Sequence, residues 1–171
     1  MFSNDFRADY FRYTGSYRIS IRELRRSLAL RYLMCMRGGA LLKHIFWHMS
    51  RKYGLELGDG SNVSPGVYLG HAYSITVNPR AIIGPNCSLH KGCTIGQENR
   101  GDRKGAPHLM SRVWVGSNAT VVGKIVIGED VLIAPGAYVN VNVPAHSIVI
   151  GNPCVIKHCD NATEGYIANA I

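Results

Sequence analysis

Two segments of this chain interrupt a regular repeat, and both carry side chains suited to chemistry. The first is residues 69–76, LGHAYSIT, which contain two more residues than the repeat requires and hold His71. A neutral imidazole can remove the proton of a hydroxyl group while the oxygen forms a new bond. We therefore predict that His71 is a general base.

The second segment is residues 97–112, QENRGDRKGAPHLMSR, whose polar and Gly-rich composition predicts a projecting loop. It carries four side chains that bind anions when charged: Arg100, Arg103, Lys104 and His108. Guanidinium and ammonium groups bind carboxylates and phosphates. The loop is therefore a candidate clamp for an anionic acceptor or for the phosphates of a cofactor. Simple solvation of these charges is the alternative.

The element that must position both segments is a repeat of six residues. From Leu57 onward an aliphatic residue returns at every sixth position, with one step of eight and one longer interruption, at Leu57, Val63, Leu69, Val77, Ile83, Leu89, Ile95, Val115, Val121, Ile127, Ile133 and Val139. This period fits neither an amphipathic helix nor an ordinary strand, and it is typical of the hexapeptide repeat of a parallel β-helix. Three repeats make one coil, in which the aliphatic residue points inward and Gly or Asn occupies the corners with positive φ.

Composition limits the remaining possibilities. The 171 residues suit one domain, and the 46% hydrophobic content is sufficient for a core. No apolar run approaches the ~18 residues of a membrane span, and the first twenty residues do not resemble a secretory signal, so we expect a cytoplasmic protein. The five cysteines are an odd number without a CxxC pair, so we expect neither a disulfide framework nor a metal site. Cys87 and Cys93 occupy equivalent repeat positions, which indicates packing.

Positive charge is concentrated in the N-terminal third of the chain. Residues 1–52 hold eleven Lys or Arg and three acids, whereas residues 53–171 hold eight of each. The simplest interpretation is a solvated helix face, and contact with an anionic membrane surface or an acidic partner is the alternative. No nucleic-acid recognition motif accompanies the charge, so nucleic acid is not expected.

The same segment, residues 1–53, is predicted to be helical. Ser20 followed by Glu23 predicts a capping box, and Gly38–Gly39 separates this first helix from a second near residues 40–52. His44 and His48 lie one turn apart on the second helix, where amphipathic packing is favoured over metal binding.

Residues 53–157 resemble the serine acetyltransferase branch of the left-handed β-helix acyltransferases. The resemblance rests on the segments GLELGDGSNVSPGVYLGHAYSITVNPRAIIGPNCSLHKGCTIG, GDR at residues 101–103, VWVGSNATVVGKIVIGEDVLIAPGAYV and IVIGNPCVIK. It implies a left-handed parallel β-helix over residues 54–157 and an acetyl-CoA-dependent O-acetyltransferase. The implied acceptor is L-serine, with a hydroxyl of a sugar or polysaccharide precursor as the alternative.

The resemblance also assigns roles to residues. It implies catalysis by His71, with Glu56 accepting a hydrogen bond from the other ring nitrogen and stabilising the imidazolium. Arg103, His90 and His108 are then expected to contact the acceptor. The positions that match the acetyl-CoA contacts of the family are Gly96, Gly116, Ser117, Ala134 and Lys157.

Two departures from the family pattern put the acceptor in question. The family acid is Asp where this chain has Glu56, and the family places a His directly after the loop Arg, where this chain has Lys104. Two other classes of protein remain open: a nonenzymatic β-helix scaffold, and a membrane-surface protein whose function lies in its basic helices.

The resemblance finally implies an assembly and a partner. An acetyl-CoA groove between subunits implies a homotrimer, or a dimer of such trimers. Residues 158–171 are expected to form a short mobile tail. The carboxylate of Ile171 is its candidate recognition element for cysteine synthase.

Overall fold

Residues 2–58 and 62–171 are described by a computed structural model, in which four helices precede a stack of parallel β-coils. Each complete coil contributes a short strand to each of three sheets, which form the sides of a prism. The predicted parallel β-helix is confirmed.

The strands are numbered in chain order and fall into three sheets. The first sheet contains β1 (Leu55–Glu56), β3 (Ile75–Val77), β6 (Thr94–Gly96), β9 (Thr120–Val122) and β12 (Tyr138–Val139). The second contains β4 (Ile82–Ile83), β7 (His108–Leu109) and β10 (Val126–Ile127). The third contains β2 (Tyr68–Gly70), β5 (Ser88–His90), β8 (Val113–Val115), β11 (Val131–Ile133), β13 (Ser147–Ile150) and an antiparallel last strand, β14 (Val155–His158).

The interior of the coils is filled as the repeat predicts. All twelve predicted aliphatic positions are buried, and many of the residues four places further on, such as Cys87 and Cys93, are buried beside them. Asn86 and Asn118 adopt the predicted positive φ at corners, and Asp130 and His146 adopt it as well. Residues other than Gly and Asn therefore also turn these coils.

The N-terminal segment differs from its prediction. It forms α1 (Asn4–Thr14), α2 (Ile21–Arg26), α3 (Leu28–Met36) and α4 (Ala40–Tyr53), of which only α4 was located correctly. The predicted capping box at Ser20 is wrong, because the Ser20 side chain makes no capping hydrogen bond. Ser27 divides the expected first helix instead, and its Oγ accepts a hydrogen bond from Leu30 N (3.2 Å).

Helix α1 is fixed to the first coil through a buried carboxylate. Asp9 accepts hydrogen bonds from the backbone N–H groups of Gly66 (2.8 Å) and Val67 (3.1 Å) and pairs with Arg37 Nε (3.0 Å). Burial raises the pKa of Asp9 to about 6, although Arg37 and the two N–H groups lower it. One turn further on, Tyr13 stacks on Tyr68 with 4.4 Å between ring centroids.

The C-terminal tail, residues 158–171, is not the free segment that the sequence suggested. Asp130 accepts hydrogen bonds from the N–H groups of Ala162 (3.0 Å) and Thr163 (3.1 Å) and from the Thr163 hydroxyl (2.6 Å). At the end of the tail, the Asn86 side chain donates to the Ile171 main-chain oxygen (2.8 Å) and accepts from its N–H (3.0 Å). The tail therefore runs back along the coils.

None of the helices described in residues 2–58 and 62–171 is both long and apolar enough to cross a membrane.

Candidate functional site

The bulge predicted around His71 is present in the pairing of the strands. Tyr68 pairs with Ser88, twenty residues later, whereas Thr76 pairs with Thr94, eighteen residues later. The two additional residues therefore lie between β2 and β3. His71 is the first residue after β2, exposed and in the left-handed backbone region (φ 51°), so the bulge turns it out of the coil.

His71 and His90 lie close to each other. In the ladder between β2 and β5, Gly70 is the partner of His90, and a Cβ atom at Gly70 would overlap the His90 ring. Only Gly at this position allows the ring to lie over the strand. Burial, and secondarily the positive charge of His71, lowers the pKa of His90, and the opposite side of its ring faces Trp114, with centroids 4.5 Å apart.

Glu56 lies on the outer face of β1, where it pairs in register with Thr76. Its side chain is exposed and lines a cavity of about 330 Å³ between α4 and the first sheet, together with Trp47 and Arg51. Among residues 2–58 and 62–171, Glu56 has no hydrogen bond to His71. The structure thus brings together His71 and His90, and the pairing of Glu56 with His71 stays a prediction.

Arg103 lies in the projecting loop, whose base is closed by paired backbone hydrogen bonds between Glu98 and Gly105 (both 2.9 Å). The Arg103 Nε donates to the Glu98 carboxylate (3.1 Å), and both side chains are partly exposed. The guanidinium is therefore held at the base of the loop, and an acceptor that binds there competes with Glu98.

His108 does not lie in the loop. It begins β7 on the second sheet, in the ladder between the exposed residues Ile82 and Val126, so the loop ends at Pro107. The next residue, Leu109, is fully buried and faces inward. A projecting loop over residues 97–112 would contain no such inward-facing aliphatic residue. Leu109 lies six residues before Val115, so the six-residue spacing contained the signal for this strand.

Three of the predicted acetyl-CoA contacts share one edge with His71. We call this the His71 edge: the edge between the third and first sheets, formed by residues 71–74, 91–93, 116–119 and 134–137. Gly116 and Ser117 lie on it directly after β8, and Ala134 lies on it directly after β11. A Cβ atom at Gly116 would approach Pro135 N to 2.6 Å, so backbone meets backbone closely here.

The remaining two predicted contacts lie elsewhere. Gly96 ends β6 at the edge between the first and second sheets, and Lys157 is exposed on β14. Within one chain, these residues do not converge with the His71 edge.

A pocket next to His90 was not predicted from the sequence. Its volume is about 300 Å³, and it is closed by α1, the third sheet and the tail: Arg12, Tyr13, Tyr68, Ser88, His90, Tyr166, Ala168 and Asn169. The buried Arg12 guanidinium donates to the Gly66 carbonyl (2.9 Å), the Ser88 hydroxyl (3.0 Å) and the Ala168 carbonyl. The local sequence contains no signal for these contacts, because they join residues far apart in the chain.

The cysteines lie outside this arrangement. Cys87 and Cys93 are fully buried, and burial raises the pKa of each thiol to about 12. In the described ranges, 2–58 and 62–171, no three His, Cys, Asp or Glu side chains are grouped to hold a metal ion.

The six-residue repeat and the coils it forms are those of the transferases built from hexapeptide repeats. The family model for bacterial transferase hexapeptide (six repeats) matches residues 106–140. The serine acetyltransferase of Synechococcus elongatus is 32% identical over 114 residues, which cover 66% of this chain and 47% of that protein. The chain therefore spans about half the length of that relative.

A second relative is matched over most of its length. The serine acetyltransferase of Helicobacter pylori is 30% identical over 129 residues, which cover 70% of this chain and 75% of that protein. The structure of Neisseria gonorrhoeae serine acetyltransferase in complex with serine superposes with a TM-score of 0.66 at 25% identity, covering 88% of this chain and 65% of that chain. This chain belongs to the serine acetyltransferase family.

Proposed function

We propose that the protein is an acetyl-CoA-dependent O-acetyltransferase whose leading acceptor is L-serine. The observation that carries the proposal is the position of His71, turned out of the coils by a two-residue bulge at one end of an edge that continues past Gly116 and Ala134. Membership of the family supports acetyl transfer, and the serine bound to the Neisseria gonorrhoeae relative supports serine as acceptor.

His71 is the general base. Its neutral imidazole accepts the proton of the acceptor hydroxyl as the oxygen attacks the acyl carbon, and the resulting imidazolium returns the proton to the departing thiolate. A neutral His90 places no positive charge beside that imidazolium, because burial lowers its pKa. No protein nucleophile is required, which agrees with the buried, protonated thiols.

Glu56 is proposed to position His71. Its carboxylate is exposed, and Glu56 pairs in register with Thr76 on β3, the strand that follows the bulge. A hydrogen bond to the second ring nitrogen would fix the tautomer and stabilise the imidazolium.

Acetyl-CoA is proposed to lie along the His71 edge. The thioester supplies the activated acetyl group. Three coil steps separate β2 from β11, which is about 14 Å at ~4.8 Å per step, so an extended arm can lie along the edge. The small residues Ser117 and Ala134 are partly exposed on this edge, Gly116 is buried beside them, and Lys157 is a candidate contact for the phosphates.

The sugar alternative is favoured by the loop. Lys104 follows Arg103 where the family has a histidine, and His108 lies on the second sheet. If the acceptor site resembled that of the family in all contacts, this histidine would be expected in the loop. A neutral sugar has no carboxylate, so a sugar acceptor would not need these residues to bind one.

The proposed homotrimer would explain the dispersed residues. His108 and Gly96 lie away from the His71 edge of their own chain, and they contribute to the site only if a neighbouring subunit packs beside that edge. A dimer of trimers and capture of Ile171 by cysteine synthase are further proposals from the family. The second requires Ile171 to leave Asn86.

The test is release of free CoA thiol from acetyl-CoA with L-serine and, in parallel, with a panel of sugars. Serine-dependent release supports the proposal, and release with a sugar alone would assign the alternative acceptor. If no acceptor stimulates release and acetyl-CoA does not bind, the nonenzymatic scaffold is favoured.

A further inference from the structure

Helix α4 presents large apolar side chains to solvent. Leu41, Ile45 and Trp47 are 84%, 46% and 56% exposed, whereas Phe46 and Met49 of the same helix are buried. Residues four positions apart lie on one side of a helix, so Leu41 and Ile45 form a single apolar stripe. Nothing in the described chain, residues 2–58 and 62–171, covers this stripe.

The stripe is accompanied by exposed positive charge. Between Glu23 and Glu56 the chain contains no Asp or Glu and seven Lys or Arg, one of which, Arg37, pairs with Asp9. Lys43, Arg51 and Lys52 on α4 are exposed, and none of them forms an ion pair within the described ranges. We call the surface formed by Leu41, Ile45, Trp47 and these three cations the α4 outer face.

We propose that the α4 outer face binds an anionic lipid surface. Transfer of aliphatic and indole side chains from water to the headgroup boundary is favourable in free energy. Lysine and arginine are attracted to acidic headgroups at the same depth. With 14 residues, α4 is about 21 Å long, which is shorter than a bilayer span of ~20 residues, so the proposed contact is with the membrane surface. Trp47 and Arg51 also line the Glu56 cavity, which places a bound membrane beside Glu56.

Two other occupants fit less well. A second copy related by a twofold axis would bring Lys43, Arg51 and Lys52 towards the same cations of its neighbour. Nucleic acid would pair with the cations but would leave Leu41 and Ile45 in water. A lipid surface satisfies both the charge and the apolar stripe.

The experiment is flotation of the full-length protein with vesicles of phosphatidylcholine alone or mixed with phosphatidylglycerol, at low and high salt. We expect about tenfold more binding to the mixed vesicles at low salt, and a decrease as salt screens the charges. Equal binding to both vesicles, or binding to neither, would overturn the proposal.

The variant that tests the apolar stripe is Leu41→Ser/Ile45→Ser. We expect binding to the mixed vesicles to fall about tenfold. The matched control is Ile150→Ser/Val155→Ser, which removes two exposed aliphatic residues from β13 and β14 and should bind as the wild type does. Both variants should keep the wild-type circular dichroism spectrum and acetyl transfer in solution.

Two results with Leu41→Ser/Ile45→Ser would refute the lipid assignment. Unchanged vesicle binding would mean that general charge attraction is sufficient. A change of oligomeric state by light scattering, without a change in vesicle binding, would assign the α4 outer face to contact between copies of the chain.

Discussion

Two neighbouring imidazoles beside the bulge have different environments. His90 is half-buried between Gly70 and Trp114, and burial lowers its pKa. His71 is exposed in the bulge and can be reached by an acceptor from solution. We therefore propose proton transfer for the solvent-facing histidine and packing for the other.

Replacement of His71 by Ala should lower kcat/KM by about 10²–10⁴, the usual contribution of a general base, because the hydroxyl proton then has no acceptor. Glu56→Gln should cost less, since the amide oxygen still accepts a hydrogen bond. Steady-state release of CoA measures both effects. His158→Ala, at an exposed histidine on β14, is the control, and equal turnover of His71→Ala and this control would exclude His71 as the base.

Single residues also show what sequence reasoning can locate. The bulge that exposes His71 was predicted because two additional residues in a strict repeat can be counted. Glu56 was singled out only through the family pattern, since no local rule indicates where its side chain points. Arg12 was missed, because its acceptors at Gly66, Ser88 and Ala168 are brought to it only by the complete fold.

At the scale of elements, the loop and the tail depart most from prediction. The loop is shorter than expected because Leu109 continues the aliphatic repeat six residues before Val115. The tail is ordered because Asp130, at a corner of the coils, presents carboxylate oxygens to three donors of the tail. Strand positions follow from a period in the sequence, whereas contacts between the tail and the coils have no period to reveal them.

Arg103→Ala should raise the KM of the acceptor severalfold and leave the KM of acetyl-CoA nearly unchanged, if the guanidinium binds the acceptor. Arg80→Ala, at an exposed arginine outside the loop, is the control. Initial-rate measurements with each substrate varied in turn distinguish the two constants. A rise confined to the KM of acetyl-CoA would reassign Arg103 to the phosphates.

Asp130→Asn should release the tail from the coils at neutral pH. Burial raises the pKa of Asp130, but hydrogen bonds from Thr163, His146 and Ala162 outweigh this and lower it below the usual carboxyl value. The carboxylate therefore stabilises the fold above about pH 4 and loses this effect as pH falls through the lowered pKa.

Hydrogen exchange at the amides of Thr163 and Ile167 measures this release. We expect protection to fall about tenfold in Asp130→Asn. This change corresponds to ~1.4 kcal/mol, the expected cost of weakening these hydrogen bonds. Asp160→Asn, at an exposed carboxylate paired with His158, should leave protection unchanged. Retained protection in Asp130→Asn would show that other contacts hold the tail.

At the scale of the whole molecule, the tail decides whether Ile171 is available to a partner. A synthetic peptide of residues 162–171 should inhibit a cysteine synthase competitively if the terminal carboxylate and Ile side chain are recognised. The intact protein should inhibit more weakly at equal concentration, because Asn86 holds Ile171 against the coils. A peptide lacking Ile171 is the control, and equal inhibition by both peptides would exclude this recognition.

The contact between Arg12 and the tail also limits the order in which the chain can mature during synthesis. The coils can stack as they leave the ribosome, since each rests on the one before it. Helix α1 precedes the coils in the chain, yet one acceptor of its buried guanidinium, the Ala168 carbonyl, lies in the tail, 156 residues later. The pocket beside His90 is therefore completed only when the tail folds back along the coils.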